Sequence, residues 1–443
     1  MKQFESKIII LFFLIAGLEF CIASDYAEVK EVKIMCSGMT VKVSDGDWNA
    51  GNKKIKVKAA EFKIDPATIV SIENERVTIG DEKPNQYVSS TKLSGVVPKP
   101  VTHGIKGCLV PNSVVVKSEE GAIYEEGSDY IIDNEWGAMG RLADGKINKN
   151  EKALVDYKYS MQRLDLIQVS ADGTLSLKKG EDKKNCPIPP EPDSGNYPVA
   201  NIFLPFHTAE ITDKFIYLIG PAYPEPAKDE LEANAKFVSK TLDKLRRGDS
   251  VTIVVWGNSV TTGCDLSSQN KGFPQVFLKM LKERFPNADI KLKNAGIAGT
   301  CTANRLPALE KEVLRFKPDL VTIEFVNDMG WPDNTVRNNY SNAIDQIRDI
   351  GGEVIIITPH FVTPEWMGAG FSLKEGTDIR PLIPCLRSIA EEKEVGLADA
   401  SKKWEHLASE GIPYTTLLLN GLNHPDSRGH LIFAQELMKF FPR

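Results

Sequence analysis

Residues 251–261 read VTIVVWGNSVT. Val251 to Trp256 is a nearly continuous apolar run, and Gly257-Asn258-Ser259 breaks it. A strand that is apolar on successive positions is buried on both faces, as in a parallel sheet covered by helices. The alternation continues downstream. Phe273, Phe277, Leu278 and Leu281 mark a helix, and Asp289 to Leu292 a short strand. Leu306 to Phe316 reads as a helix, Leu320 to Phe325 as a strand, Tyr340 to Ile350 as a helix and Val354 to Ile357 as a strand. Leu382 to Glu394 and His430 to Phe441 supply the last long helices. Strand and helix in alternation predict an α/β domain over residues 249–443, a doubly wound, flavodoxin-like parallel sheet in three layers. Sites in such sheets form beyond the carboxyl ends of the strands.

Upstream the period changes. Leu231, Ala235, Val238, Leu242 and Leu245 recur at helical spacing and are closed by Arg246-Arg247-Gly248, which predicts one helix in a linker over residues 216–248. Two Pro-rich stretches, CPIPPEPDSGNYP (186–198) and GPAYPEP (220–226), read as semi-rigid connectors. Residues 25–215 carry short β-rich runs: Lys53 to Lys58 (KKIKVK), Val114 to Val116, Tyr130 to Ile132, Leu154 to Tyr159 and Leu164 to Val169. Asp144-Gly145 and Asp172-Gly173 separate them as turns, so an all-β, sandwich-like accessory domain is expected. Asp45, Asp47 and Asn49 do not form a calcium loop, because Ala50 stands for the turn glycine and Lys56 for the bidentate Glu.

The start of the chain reads as a signal peptide over residues 1–24. Lys2 and Lys7 flank an apolar core, Ile8 to Gly17, and small residues follow at Ala23 and Ser24. That core is too short to span a bilayer, and no later run reaches membrane length. A secreted or periplasmic protein without a stable membrane span is expected. Six cysteines follow the leader, an even count that permits disulfides in an oxidising compartment. With 54 Lys+Arg against 60 Asp+Glu, the net charge is −6, which argues against a nucleic-acid binder. No cluster has metal-ligand spacing and no Gly-rich phosphate loop occurs, so neither metal nor cofactor is expected.

Chemistry-bearing residues fall where the α/β reading puts the strand ends. Gly257-Asn258-Ser259 ends one strand, Asn294-Ala295-Gly296 follows a second, Val326-Asn327-Asp328 follows a third, and Asn423-His424-Pro425 precedes the last helix. In this order the blocks resemble the SGNH, or GDSL-type, serine hydrolase family over roughly residues 249–441. The resemblance implies Ser259 as nucleophile and His424 as general base. It implies an oxyanion hole from the Ser259 and Gly296 N–H groups and the Asn327 amide. A serine hydroxyl needs a neighbouring base, and the charge that develops on a carbonyl oxygen needs preorganised donors.

The sequence departs from the family at three points. Asn258 replaces an Asp, Phe325 replaces a Gly, and Gly421 stands where the triad acid is expected, three residues before the histidine. Asp426, Asn420 and Asp399 are therefore the candidates to orient His424, or a Ser–His dyad operates. His360, Trp331 and Trp366 are candidate substrate contacts. Cys264 and Cys301 each follow a site block by five residues and are expected to bridge the two loops. The family with an added β domain implies a carbohydrate esterase that removes O-acyl, chiefly O-acetyl, groups from a polysaccharide. A lipid or aryl esterase with the same site, or a degenerate polysaccharide-binding protein, are the alternatives.

Overall fold

A computed structural model describes residues 31–443 apart from 52, 82, 86–89, 102 and 375. The leader expected at residues 1–24 lies outside the described residues. The C-terminal half is built on five parallel strands: β1 (Ser250–Gly257), β2 (Asp289–Gly296), β3 (Leu320–Glu324), β4 (Glu353–Ile357) and β5 (Gly396–Ala398), in the order β2-β1-β3-β4-β5. The order reverses between β1 and its two neighbours, which opens a crevice at their carboxyl ends. Between the strands run α1 (Ser259–Thr262), α2 (Phe273–Arg284), α3 (Asp333–Asp349), α4 (Leu382–Glu392) and, after β5, α5 (Ser427–Met438).

The period of two along each strand sorts the layers. Val251, Ile253 and Val255 of β1 join Phe273, Phe277 and Leu281 of α2 and Phe433 and Leu437 of α5 in one core. Val254 and Trp256 join Tyr340, Ile344 and Ile347 of α3 and Leu386 and Ile389 of α4 in the other. Two elements differ from expectation. Residues 302–316 form only single turns, broken by Pro307 and by Lys317 at φ +47°. Leu231 to Leu245 splits into helices Lys228–Ala235 and Ser239–Arg247 around a tight turn.

The N-terminal half consists of antiparallel sheets, as expected, but around two cores. One joins Val41, Val43, Ile55 and Val57 to Ile167, Val169, Ile202 and Leu204, so strands before residue 64 pack on strands after residue 163. The other gathers Val77, Leu93, Val116, Tyr130, Met139 and Val155 from the chain between them. This second β unit is an insertion in the first. Alternation alone could not separate them, because both use the same period.

A buried arginine closes the neck of the insertion. Arg163 donates to the carbonyls of Asp65 (2.6 Å) and Pro66 (3.3 Å) and to the carboxylates of Asp165 (2.7 Å) and Asp182 (3.1 Å). Arg163→Ala, which strands the buried Asp165 carboxylate, is expected to cost about 3–5 kcal/mol, read as a lower urea midpoint. The first unit also reaches past the expected boundary at residue 215. Strand Ile216–Leu218 pairs with Tyr197–Leu204.

Candidate functional site

Ser259 sits at the first position of α1, directly beyond β1, so the strand end and the helix start aim it into the crevice. Asn258 caps that helix, its Oδ1 accepting from Val260 N at 2.9 Å. Asparagine therefore does the capping work open to aspartate at this position. From the loop before α5, His424 Nε2 lies 2.9 Å from Ser259 Oγ. His424 Nδ1 lies 2.5 Å from Oδ2 of Asp265. A carboxylate accepts only, so Nδ1 carries the proton and Nε2 is left to accept from the serine hydroxyl. Ser259 and the Asp265 side chain are 4% and 6% exposed, which shields the line from water.

Asp265 corrects the expectation about the acid. Asp426 instead caps α5, accepting from the Arg428 and Gly429 N–H groups, and ion-pairs with Arg428 at 2.7 Å. Asp399 ion-pairs with Arg387 at 2.9 Å and accepts from Thr358. Asn420 Oδ1 accepts the N–H groups of Leu422, Asn423 and His424 at 2.9, 3.0 and 3.1 Å, so it shapes the loop and leaves the imidazole to Asp265. In the sequence Asp265 is marked only by its place six residues beyond Ser259; the structure puts it in the loop after the single-turn helix, at φ +65°.

The donors near Ser259 also differ from expectation. The Gly296 N–H is taken by Asn294 Oδ1 at 2.9 Å, while Asn294 Nδ2 donates to Thr261 O at 2.8 Å. Asn294 thus ties the end of β2 to the nucleophile's helix, and Gly296 is needed for close approach. A Cβ on Gly296 would lie 2.7 Å from Thr262 N and 3.0 Å from Asn258 O. Gly296→Ala is expected to shift α1 and lower kcat/KM by roughly 10²-fold, measured on a small aryl ester. Gly299, missed in the sequence, lies exposed at φ +72° with no atom within 4 Å of a Cβ position. Among the described residues its N–H and that of Ser259 have no hydrogen-bond acceptor. Asn327 Nδ2 donates to the carbonyl of the next residue, Thr300, at 3.0 Å, which brings the amide beside the Gly299 loop. Arg305 locks the strand ends beneath, donating to Gly257 O and Ala295 O at 3.0 and 2.8 Å.

His360 is fully buried, and its Nε2–H donates to Asn423 O at 2.8 Å. Burial drives its imidazole well below the usual range, so it is a neutral prop for the His424 loop and is out of reach of substrate. Trp331 and Trp366 are exposed. Cys264 and Cys301 are both free thiols, and the expected bridge is absent. Cys264 Sγ lies 3.0 Å from Thr262 Oγ1. Cys301 instead begins a helical turn as its cap.

Under the site, Glu324 at the end of β3 is fully buried, which pushes its carboxyl up to about 8. Asp328, which accepts from Thr302 N, is pushed up to about 6 by burial. Both bind protons more tightly folded than unfolded, so their contribution to stability is full in acid and lost as pH rises. For Glu324 the loss spans about pH 4.5 to 8. Glu324→Gln, neutral throughout, is expected to flatten the fall in Tm across that window.

Residues 255–432 match the model of the GDSL-like Lipase/Acylhydrolase family. No curated protein matches the sequence. The chain is similar to a two-domain esterase active on acetylated mannans, at 22% identity and a TM-score of 0.40, over 46% of this chain and 52% of that one. It therefore spans about half the length of that esterase. It is also similar to an acetylxylan esterase from Geobacillus stearothermophilus, at 17% identity and a TM-score of 0.37, over 44% of this chain and 94% of that one. With the family match in hand, residues 255–432 are a GDSL-like lipase/acylhydrolase domain, the type of domain found in carboxylic ester hydrolases.

Proposed function

We propose that the protein is an exported serine esterase that removes O-acyl groups, chiefly O-acetyl, from a carbohydrate. The observation that carries this reading is the hydrogen-bonded line Ser259–His424–Asp265. Its completeness favours an enzyme over a degenerate binding protein. His424 Nε2 takes the Ser259 proton as Oγ attacks the ester carbonyl. The tetrahedral oxyanion is held by the N–H groups of Ser259 and Gly299 and by the Asn327 amide, each donor worth about 3–4 kcal/mol in a preorganised site. His424 then gives its proton to the leaving alcohol, which leaves an acyl group on Ser259. Water, deprotonated by the same imidazole, releases the acid and restores the serine. Asp265 holds the imidazole in the required tautomer and stabilises the imidazolium.

The carbohydrate part of the reading rests on the expected leader, the appended β units and the exposed indoles of Trp331 and Trp366. Sugar faces stack on such rings, whereas a lipid esterase needs a deep apolar tunnel. The test is acetate release from acetylated mannan and acetylated xylan, beside p-nitrophenyl esters of rising chain length, with intact mass after rapid quench. The expected result is acetate from a polysaccharide, a preference for acetyl over octanoyl, and an acetyl adduct on Ser259. Octanoate preferred with no acetate from either polysaccharide would establish the lipid or aryl esterase instead.

A further inference from the structure

Leu419 to His424 form a closed loop. The Leu419 N–H donates to the His424 carbonyl at 2.7 Å, beside a bridge between Leu418 and Pro425. Asn420 Oδ1 binds the inside of the loop by accepting from the N–H groups of Leu422, Asn423 and His424. A loop closed in this way moves as one block. Its outer contacts therefore decide where the imidazole stands against Ser259 and Asp265.

Those contacts come from both halves of the chain. From the α/β domain, the Thr363 N–H donates to Leu422 O at 2.5 Å and His360 donates to Asn423 O at 2.8 Å. These carbonyls are neighbours at the histidine end of the loop. From the N-terminal half, Trp136 and Ala138 of the inserted unit bury the Leu422 side chain in one apolar cluster. Ile105 of the same unit lies 4.0 Å from the Cβ position of Gly421. Asn185 Nδ2 donates to Leu419 O at 2.6 Å, at the far end of the loop. Asn185 is itself fixed at the neck of the insertion. Gln162 and Lys183 exchange backbone hydrogen bonds of 2.8 Å there, and Asp182 pairs with Arg163 at 3.1 Å. A block held at one end swings about that end, and a block held at both ends does not.

We propose that the N-terminal half positions the catalytic histidine, with Trp136 and Asn185 as positioning residues that hold the His424 loop against Ser259. This rests on the serine esterase reading and extends it. The β units are then part of the catalytic machinery in addition to any part they take in holding a carbohydrate. Misplacement of Nε2 by about 1 Å costs up to roughly 10²-fold in rate. His424 acts in both acylation and deacylation, so the loss reaches kcat whichever step is slower.

The test measures kcat and KM for p-nitrophenyl acetate in Trp136→Ala, Trp136→Phe and Asn185→Ala, with a melting curve for each. Wild type, Ser259→Ala and Val116→Ala run beside them. Val116 belongs to the inserted unit's own core and not to the Leu422 cluster, so Val116→Ala reports loss of stability alone. The expected fall in kcat is roughly 10²-fold for Trp136→Ala and about tenfold for Asn185→Ala, with KM unchanged. Trp136→Phe should recover most of the loss, and Val116→Ala should lower the melting temperature with kcat intact. Asn185 is only half-buried, so its substitution removes a hydrogen bond and leaves the packing in place. Wild-type kcat in folded Trp136→Ala or Asn185→Ala would overturn the proposal while the serine chemistry stands. A rise in KM alone, or an equal fall in kcat for Val116→Ala, would overturn it as well. Wild type no faster than Ser259→Ala would remove the serine reading, and this inference with it.

Discussion

Ser259→Ala is expected to lower kcat by about 10⁶-fold, and His424→Ala by as much, with the double variant no worse than either. The reason is geometric. At 2.9 Å the hydroxyl and the imidazole act as a unit, and neither has a function in the reaction without the other. Removing the hydroxyl removes the atom that forms the acyl bond. Removing the imidazole leaves a hydroxyl that holds its proton at neutral pH. The residual rate would come from the oxyanion donors, which neither substitution touches. Stopped-flow release of p-nitrophenol checks this. A double variant slower than both singles by a further large factor would show that the two residues do not share a step.

Asp265→Asn is expected to lower kcat by about 10⁴-fold with little loss of stability. The asparagine keeps the shape, but its amide donates to Nδ1 and pushes the imidazole proton to Nε2. Nε2 then points a donor at Ser259 and cannot accept. Asp426→Asn is the matched control. Its carboxylate caps α5 and pairs with Arg428, so the expected effect is about 1 kcal/mol on stability with the serine chemistry retained. If Asp426→Asn gave the larger loss in kcat, Asp265 would not be the working acid.

The sheet was readable because β1, β3 and β4 are nearly continuous apolar runs, broken within only by Thr252 and Thr322, and that pattern has few structural alternatives. β5 was not, since Gly396-Leu397-Ala398 is too short to show a period. The serine and histidine that the structure brings to 2.9 Å of each other were readable as candidates from the blocks they sit in. The acid was not, because the family pattern places it three residues before the histidine. Here it follows the nucleophile, in a loop whose path depends on a positive φ at Asp265. Gly296 was read as a donor because a glycine after a strand serves two purposes equally well. Only the hydrogen bond that the Gly296 N–H donates to Asn294 Oδ1 shows that this one serves packing. His360 ends an apolar strand as a site residue would, and only its burial distinguishes a prop from a contact.

The insertion also sets an order of events as the chain is made. Strands Thr40–Val43 and Lys53–Val57 emerge early, yet their core partners in Arg163–Val169 and Tyr197–Leu204 come only after the whole inserted unit. The inserted unit has its own core and is synthesised in one stretch, so it can close while those early strands wait. At roughly 5–20 residues per second the delay is on the order of ten seconds. For that time the apolar edges of the first strands are open to wrong partners, and a nascent-chain holdase would find its binding segment there. Arg163 ends the delay, because its bonds to Asp65 and Pro66 form only when the returning strand arrives.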